Sequence, residues 1–180
     1  MKLDFDNPTL NIFLNNPRTG YYLRELELKI KRNPKVLFKE LHYFVDLDIL
    51  VVKSEANTKK YKLNINSEFV KSLQRIWILY LLKPLVKALE KKVDKIILYG
   101  SFANQTYVSK SDIDLFVLTD EKNLSLKEVS ELEHKLNKEA SFITMSGLDY
   151  YRKLKNKDSF INNIDSKGII VYSCEFDGLE

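Results

Sequence analysis

Four residues in the middle of the chain, Gly100, Ser101, Asp112 and Asp114, have types and spacing that could bind a phosphate and a divalent cation. Residues 96–99 form a short apolar run that predicts a strand, and Gly100 allows the chain to turn sharply after it. Such a turn brings backbone N–H groups close to a ligand, where they can donate to phosphate oxygens, particularly if a helix begins there. The hydroxyl of Ser101 can reach a terminal phosphate.

The aspartate pair follows ten residues later and opens the apolar run 115–118, which predicts a second strand. Alternate side chains of a strand share a face, so Asp112 and Asp114 point one way while Ile113 and Leu115 face the core. Two neighbouring carboxylates repel each other unless a cation lies between them, and oxygen ligands suit Mg²⁺. Such a cation can orient the phosphates of a nucleoside triphosphate and neutralise charge that develops during phosphoryl or nucleotidyl transfer.

Neither segment is specific by itself. Gly-Ser turns are common, and Asp-x-Asp at the start of a strand is often a turn with solvated carboxylates. The combination of one segment after a strand and the other inside the next strand favours a metal and phosphate site over a purely structural role.

The order of an apolar strand, Gly-Ser, about ten residues and Asp-hydrophobic-Asp closely resembles the signature of the DNA polymerase β-like nucleotidyltransferase superfamily in its minimal form. The resemblance implies an αβ nucleotidyltransferase core that transfers a nucleoside monophosphate from a triphosphate, with ATP as the expected donor. It implies that Gly100 and Ser101 bind the nucleotide, and that Asp112 and Asp114 are catalytic residues that hold Mg²⁺.

Two positions depart from that pattern. Active relatives commonly carry a third carboxylate on the strand after the aspartate pair, whereas the position that looks equivalent here is Ser141. Glu139 is near it in sequence but is expected to face differently or to lie off the strand end. A second glycine usual shortly after Gly-Ser is also missing, because Asn104 and Gln105 stand there. The missing carboxylate bears on catalysis, whereas the residues expected to bind nucleotide and metal are present.

The composition is that of a globular protein, with 44% hydrophobic and 30% charged residues, and no run approaches the ~20 apolar residues of a membrane span. The N-terminus lacks an apolar signal-peptide core, which predicts a cytoplasmic protein with no membrane partner. With one cysteine and no Cys/His cluster, neither an internal disulfide nor a zinc site is expected. The net charge of +4 lies wholly in residues 1–66, which hold twelve Lys/Arg and eight Asp/Glu, and this excess favours an anionic partner there.

Residues 1–66 predict three short helices and a two-stranded hairpin. The helices begin near Pro8, Tyr22 and Pro34, and the third has an apolar stripe that is expected to be buried. The members of that stripe are Val36, Leu37, Leu41, Phe44 and Val45. Strands at 49–53 and 59–65 follow. Asp48 precedes them at a turn where winged helix-turn-helix domains, which this segment resembles, usually carry glycine, and aspartate tolerates the left-handed backbone expected there.

This segment resembles the winged helix-turn-helix domains of prokaryotic regulators, in which the third helix enters the major groove and the wing touches phosphates. The resemblance implies contacts to double-stranded DNA, and Glu40, in the middle of the third helix, argues against tight phosphate contact. The residues implied in DNA binding are Lys35 and Lys39 on the helix, with Lys53, Lys59 and Lys60 on or near the wing. Winged helices also serve as dimerisation or protein-docking modules, and both readings stay open.

The expected fold class is α+β. A winged helix-turn-helix domain occupies 1–66, a bridging helix 67–92, and a nucleotidyltransferase αβ domain with a small mixed sheet 93–180. The bridging helix is capped by Ser67 and kinked or restarted at Pro84. A capping box at 125–128 opens a further helix, followed by a strand at 140–145, helices at 146–156 and 159–164, and a strand at 168–173.

The function that these patterns favour is Mg²⁺-dependent nucleotidyl transfer. Related minimal transferases act as antitoxins that add AMP to a partner toxin of the HEPN ribonuclease type, so the resemblance implies a protein acceptor. An alternative is a DNA-binding transcriptional regulator whose transferase domain senses a nucleotide or mediates assembly without catalysis. A third is a transferase that modifies a small molecule such as an antibiotic.

Overall fold

The computed structural model describes residues 3–55, 58–121 and 127–174. The chain divides into two compact units, one ending at Trp77 and the other beginning at Ile78. In chain order the elements are α1 (Pro8–Asn15), β1 (Tyr21–Tyr22), α2 (Leu23–Ile30), α3 (Pro34–Asp46), β2 (Leu50–Glu55), β3 (Thr58–Leu63), α4 (Glu68–Leu89), β4 (Lys95–Tyr99), α5 (Gly100–Ala103), β5 (Ile113–Leu118), α6 (Lys127–Leu136), β6 (Ala140–Met145), α7 (Gly147–Lys155), α8 (Ser159–Lys167) and β7 (Ile169–Ser173).

The three predicted helices of the first unit are present, and two of them begin with proline at the first helical position. The side chains of Asn7 and Asn33 cap α1 and α3 by accepting from backbone N–H groups of the first turn. The expected stripe of α3 is only partly confirmed, because Val36 is exposed and Val45 is half-buried. The buried apolar residues that these three helices contribute to the core are Leu10, Phe13, Leu14, Leu26, Leu37, Leu41 and Phe44.

A three-stranded antiparallel sheet of order β1-β3-β2 completes the first unit. The hairpin was expected, whereas β1 was not, since two residues are too short to show a strand period. At the turn before β2, Asp48 has a φ of 57°, which confirms the left-handed conformation expected where glycine is usual. Asn64 holds this turn by donating from Nδ2 to Oδ1 of Asp48 at 2.9 Å.

Helix α4 runs through Pro84 without a break, so the proline does not restart it. Its first intrahelical hydrogen bond joins the N–H of Lys71 to the carbonyl of Ser67 at 3.0 Å, as expected for a helix that starts after Ser67. Trp77 is buried and donates from Nε1 to Oδ1 of Asn11 at 2.7 Å, which makes it a core residue of the first unit. Within the residues that the structure describes, no helix is long and apolar enough to cross a membrane.

The second unit contains a four-stranded sheet of order β6-β5-β4-β7. Strands β5 and β6 are parallel and the other pairs are antiparallel, so the expected small mixed sheet is confirmed. Strand β5 is buried on both faces beyond its second residue, because α7 and α8 cover the face that also carries Asp114. The cluster on that face comprises Ile97, Phe116, Leu118, Tyr150, Ile161 and Ile164.

Two sequence predictions fall outside the described residues. Ser125 and Leu126 of the expected capping box precede the described start of α6, and the side chain of Glu128 is likewise outside the description. The tail 175–180 is also outside it.

Candidate nucleotide and metal site

The turn after β4 brings Gly100 against the second aspartate. Tyr99 and Asp114 are partners in the antiparallel pairing of β4 with β5, so the residue after Tyr99 lies at the carboxylate. Gly100 has a φ of +69°, and a Cβ built on it would overlap Oδ2 of Asp114 and lie 3.1 Å from its Cγ. Glycine is therefore required here for both its backbone conformation and its lack of a side chain.

The two aspartates differ in burial but influence each other. Asp112 is exposed just before β5, and Asp114 is half-buried as the second residue of that strand. Burial raises the pKa of Asp114, and the charge of Asp112 raises it further. Burial, and then the charge of Asp114, also raises the pKa of Tyr99 across the strand pair. This end of the sheet therefore concentrates negative charge that a cation would relieve.

The donor set at this position fits Mg²⁺. This ion usually binds through one or two carboxylates together with substrate phosphates, and it keeps several waters. Asp112 and Asp114 would hold it, and the neighbouring turn would receive the phosphates. The ion would offset negative charge on the phosphate oxygens.

Helix α5 begins at Gly100, so the first N–H groups after β4 lie at a helix start and have no partner within the helix. Beyond α5, Gln105 adopts a φ of 59°, a left-handed conformation that glycine would adopt without strain. Gln105 thus keeps the backbone conformation that a second glycine would allow, at a conformational cost of about 1–2 kcal/mol. The rings of Phe102 and Tyr107 stack with centroids 4.1 Å apart and secure this connection.

Ser141, which the family resemblance aligns with the third carboxylate of active relatives, is exposed on β6. It is the register partner of Asp114 in the parallel pairing of β5 with β6, so the two side chains share a face. Glu139 precedes β6, is exposed, and contributes its carbonyl to the N–H of Ile113 at 2.9 Å. Over the described part of the chain, no group of three or more His, Cys, Asp or Glu residues could hold a metal ion.

Lys138 is a buried charge near the site that sequence reasoning missed. The residue is 7% exposed, and Nζ donates to the carbonyls of Val108 at 3.1 Å and Ser109 at 2.8 Å. Burial lowers the pKa of Lys138, while the charge of Asp112 opposes that shift. The local sequence around it is polar, so nothing there indicated that this lysine points inward.

The lysines assigned to DNA binding lie in the first unit. Lys35 and Lys39 are exposed on α3, and Lys53 and Lys59 are exposed on β2 and β3. Lys60 is half-buried, with Nζ 5.0 Å from the centroid of the Tyr22 ring. A cleft of about 720 Å³ opens in this unit, and its lining includes Arg24, Phe38 and Lys59.

Glu40 is buried and paired inside the first unit, which corrects the argument that it opposes phosphate contact. It is 4% exposed and accepts hydrogen bonds from Asn7 at 2.9 Å and Thr9 at 2.6 Å. Arg32 forms an ion pair with it at 2.8 Å. Because a carboxylate with these partners is compensated internally, the exposed face of α3 does not present its charge.

Comparison with known proteins identifies a family for the segment that contains this site. The sequence model of the family described as polymerase beta, nucleotidyltransferase matches residues 81–177. Among solved structures, a proposed nucleotidyltransferase from Sulfolobus solfataricus is similar over 57% of this chain and 86% of its own, at 16% identity and a TM-score of 0.34. No curated protein matches the sequence.

The TM-score is too low for that structure to support a conclusion, whereas the family match covers more than half of the chain. The matched segment contains the glycine turn, both aspartates and Ser141. This chain therefore belongs to the polymerase beta nucleotidyltransferase family.

Proposed function

We propose that the protein is a Mg²⁺-dependent nucleotidyltransferase that transfers AMP from ATP to a protein acceptor. The observation that carries this proposal is the close approach of Gly100 to Asp114, with Asp112 beside it. The turn that we propose to bind phosphate follows β4 directly, and the acidic pair, ten residues later in the sequence, lies at the start of β5, which pairs with β4. Family membership supports the general reaction.

In the proposed reaction, Gly100 and Ser101 bind the triphosphate through backbone N–H groups and the serine hydroxyl. A hydroxyl oxygen of the acceptor attacks the α-phosphorus, and the bond from that phosphorus to the bridging oxygen breaks. Pyrophosphate leaves with the electron pair of that bond, and the hydroxyl proton passes to water. Since Ser141 is too weakly basic to take this proton, we expect slow turnover.

The acceptor that we propose is a protein hydroxyl, in a toxin of the HEPN ribonuclease type. The support for it is the resemblance to minimal transferases that act as antitoxins. The test is incubation with Mg²⁺ and α-labelled ATP, with and without lysate of the source organism, and with γ-labelled ATP in parallel. Label that reaches a protein from the α-position but not from the γ-position identifies nucleotidyl transfer.

Asp112→Asn with Asp114→Asn should abolish that labelling, and Asp120→Asn is the matched control. Asp120 is an exposed carboxylate beyond the other end of β5. Label on a small molecule instead of a protein would show that the acceptor is a small molecule. Labelling that survives the double substitution would show that Asp112 and Asp114 are not the catalytic residues.

A second candidate function is DNA binding by the first unit, read as a winged helix-turn-helix. It is supported by the internal pairing of Glu40, which leaves Lys35 and Lys39 as the exposed charges in the first half of α3. In this alternative the transferase unit senses a nucleotide or mediates assembly.

A gel shift on the DNA upstream of the protein's own coding sequence tests this alternative. We expect Lys35→Ala with Lys39→Ala to reduce the slope of log affinity against log salt by about 2, one for each lost phosphate contact. Lys153→Ala with Lys155→Ala, on the exposed surface of α7, is the matched control. An unchanged slope in the variant with both α3 lysines replaced would show that α3 is not the helix that contacts DNA.

A further inference from the structure

The connection from α6 to β6 directs Lys138 into the second unit. Helix α6 ends at Leu136, and Asn137 takes the left-handed conformation with a φ of 50°. The N–H of Lys138 then donates to the carbonyl of Glu133 at 3.2 Å. This is the pattern of a Schellman motif, which reverses the chain at the helix end. Lys138 is therefore buried by the way the helix terminates.

Inside the unit, Lys138 contacts helix α5 and the loop that joins α5 to β5. Its ammonium donates to the carbonyls of Val108 and Ser109, near the middle of that loop. It also lies 5.7 Å from the centroid of the Phe102 ring, which stacks on Tyr107. A buried ammonium is costly unless it is paired, and these acceptors compensate it.

The loop that Lys138 holds ends at the first metal-binding candidate. Asp112 is the last residue before β5, three residues after Ser109, and its carboxylate interacts electrostatically with the ammonium. Asp114 is placed by the sheet register, but Asp112 precedes the strand, so its position depends on the loop.

We propose that Lys138 is a positioning residue for the nucleotide and metal site. Its ammonium fixes loop 104–112 so that Asp112 lies beside Asp114 before a metal-bound triphosphate arrives. This inference rests on the proposed function of the site. The residue acts through the loop and is not assigned any contact with the reacting atoms.

The first readout is hydrogen exchange of the full chain without nucleotide. Thr106, Val108 and Ser111 have backbone N–H groups that are hydrogen-bonded within the loop or to α5. In Lys138→Met we expect these amides to exchange at least about tenfold faster, while amides of β4 and β5 stay within about twofold, because only the loop opens locally. Lys110→Met, at an exposed lysine of the same loop, is the matched control and should leave exchange unchanged.

The second readout is the dissociation constant for Mn²⁺ in the presence of an ATP analogue that cannot be cleaved between the α- and β-phosphates, measured by electron paramagnetic resonance. Lys138→Met should weaken Mn²⁺ binding about tenfold, and Lys110→Met should not. Faster loop exchange together with weaker binding supports the proposal. Unchanged loop exchange, or faster exchange with unchanged affinity, overturns it.

Failure of the proposed function gives a different result. Wild-type protein that does not bind Mn²⁺ with the analogue would overturn the proposed function and the positioning role together, whereas equal binding by wild type and Lys138→Met overturns the positioning role alone. If circular dichroism shows Lys138→Met unfolded, Lys138→Arg takes its place. Lys138→Arg keeps a positive charge and N–H donors, so it should either retain both loop protection and Mn²⁺ affinity or lose both together, and the loss of one without the other overturns the proposal.

Discussion

At the scale of single residues, Gly100 and Asp114 act as a pair, because the missing side chain of one leaves room for the carboxylate of the other. Gly100, with its positive φ, directly follows β4, whereas Asp114 lies in β5. The register of the two paired strands brings these residues together. Asp114 is then held half-buried near a second carboxylate, which disfavours its charge. Sites that bind ligands commonly retain such unfavourable arrangements at the expense of stability.

Gly100→Ala should disrupt the site more than it disrupts the fold. The left-handed backbone costs about 1–2 kcal/mol for a residue with a Cβ, and the overlap displaces the Asp114 carboxylate. We expect Mn²⁺ binding by calorimetry to be lost while the circular dichroism spectrum is kept. Gly147→Ala is the matched control, since a Cβ there has no neighbour within 4 Å. Full Mn²⁺ affinity in Gly100→Ala would contradict the assigned site.

Asp114→Asn should stabilise the metal-free protein at neutral pH. Because the pKa of Asp114 is raised, the folded state binds this proton more tightly than the unfolded chain, and stability falls as pH rises through the interval between the two pKa values. Above that interval the asparagine variant should melt at a higher temperature than wild type, and the difference should vanish below about pH 3, where Asp114 is protonated in both states.

Differential scanning calorimetry across pH checks this, with Asp120→Asn as a control that should show no such pH-dependent gain. Adding Mg²⁺ should raise the melting temperature of wild type and not that of Asp114→Asn. A lower melting temperature for Asp114→Asn at neutral pH would show that the charge is not unfavourable there.

Ser141→Asp should restore a third carboxylate beside Asp114. Ser141 is exposed and in register with Asp114, so the added charge lies on the same face. We expect about tenfold tighter Mn²⁺ binding, equivalent to ~1.4 kcal/mol, by calorimetry. Thr144→Asp adds the same charge to the opposite face of β6 and is the control. Equal affinities in the two variants would show that Ser141 is not directed at the site.

At the scale of elements, α1 and α3 are joined by a buried polar cluster around Glu40 as well as by apolar packing. The cluster includes the cap residue of α1 and Arg32 from the turn before α3. It fixes how α3 rotates about its axis, and therefore which residues of that helix are exposed.

Glu40→Ala should lower the free energy of unfolding by about 3 kcal/mol, because it leaves Thr9 and Arg32 without their buried acceptor. Urea denaturation followed by tryptophan fluorescence measures this. Asp46→Ala, at an exposed acidic residue in the last turn of the same helix, should change stability by no more than about 0.5 kcal/mol. Equal effects of the two substitutions would show that the cluster contributes little.

At the scale of the whole molecule, the residues proposed for DNA binding lie in one compact unit and those proposed for nucleotide binding lie in the other. Substitutions in one set of residues should therefore leave the binding activity of the other set unchanged. We expect Lys35→Ala with Lys39→Ala to retain the Mn²⁺ affinity of wild type within about twofold, and Asp112→Asn with Asp114→Asn to retain DNA binding, because the effects of substitutions add when the residues share no partners. Gel shifts and calorimetry on both variants test this, and a loss of both activities in either variant would show that the two sites are coupled.

Features that depend on neighbouring residues were predictable from the sequence. Three kinds of local feature were predicted and are present: the helix starts at proline and asparagine, the left-handed Asp48, and the strand that follows Asp112. The family signature is also local, because Gly-Ser and the aspartate pair flank one strand connection. Backbone sterics and side-chain alternation act over a few residues, so a single sequence records them.

Tertiary structure decided which polar side chains are buried. Glu40 accepts from Thr9, 31 residues away, and Lys138 donates to Val108, 30 residues away. The exposure of Val36 likewise depends on how α3 is rotated. A charged residue on a polar stretch predicts a solvated surface by default, and only packing between distant elements supplies the partners that offset its desolvation. The contact of Gly100 with Asp114 belongs to this second group, because strand pairing brings the two residues together.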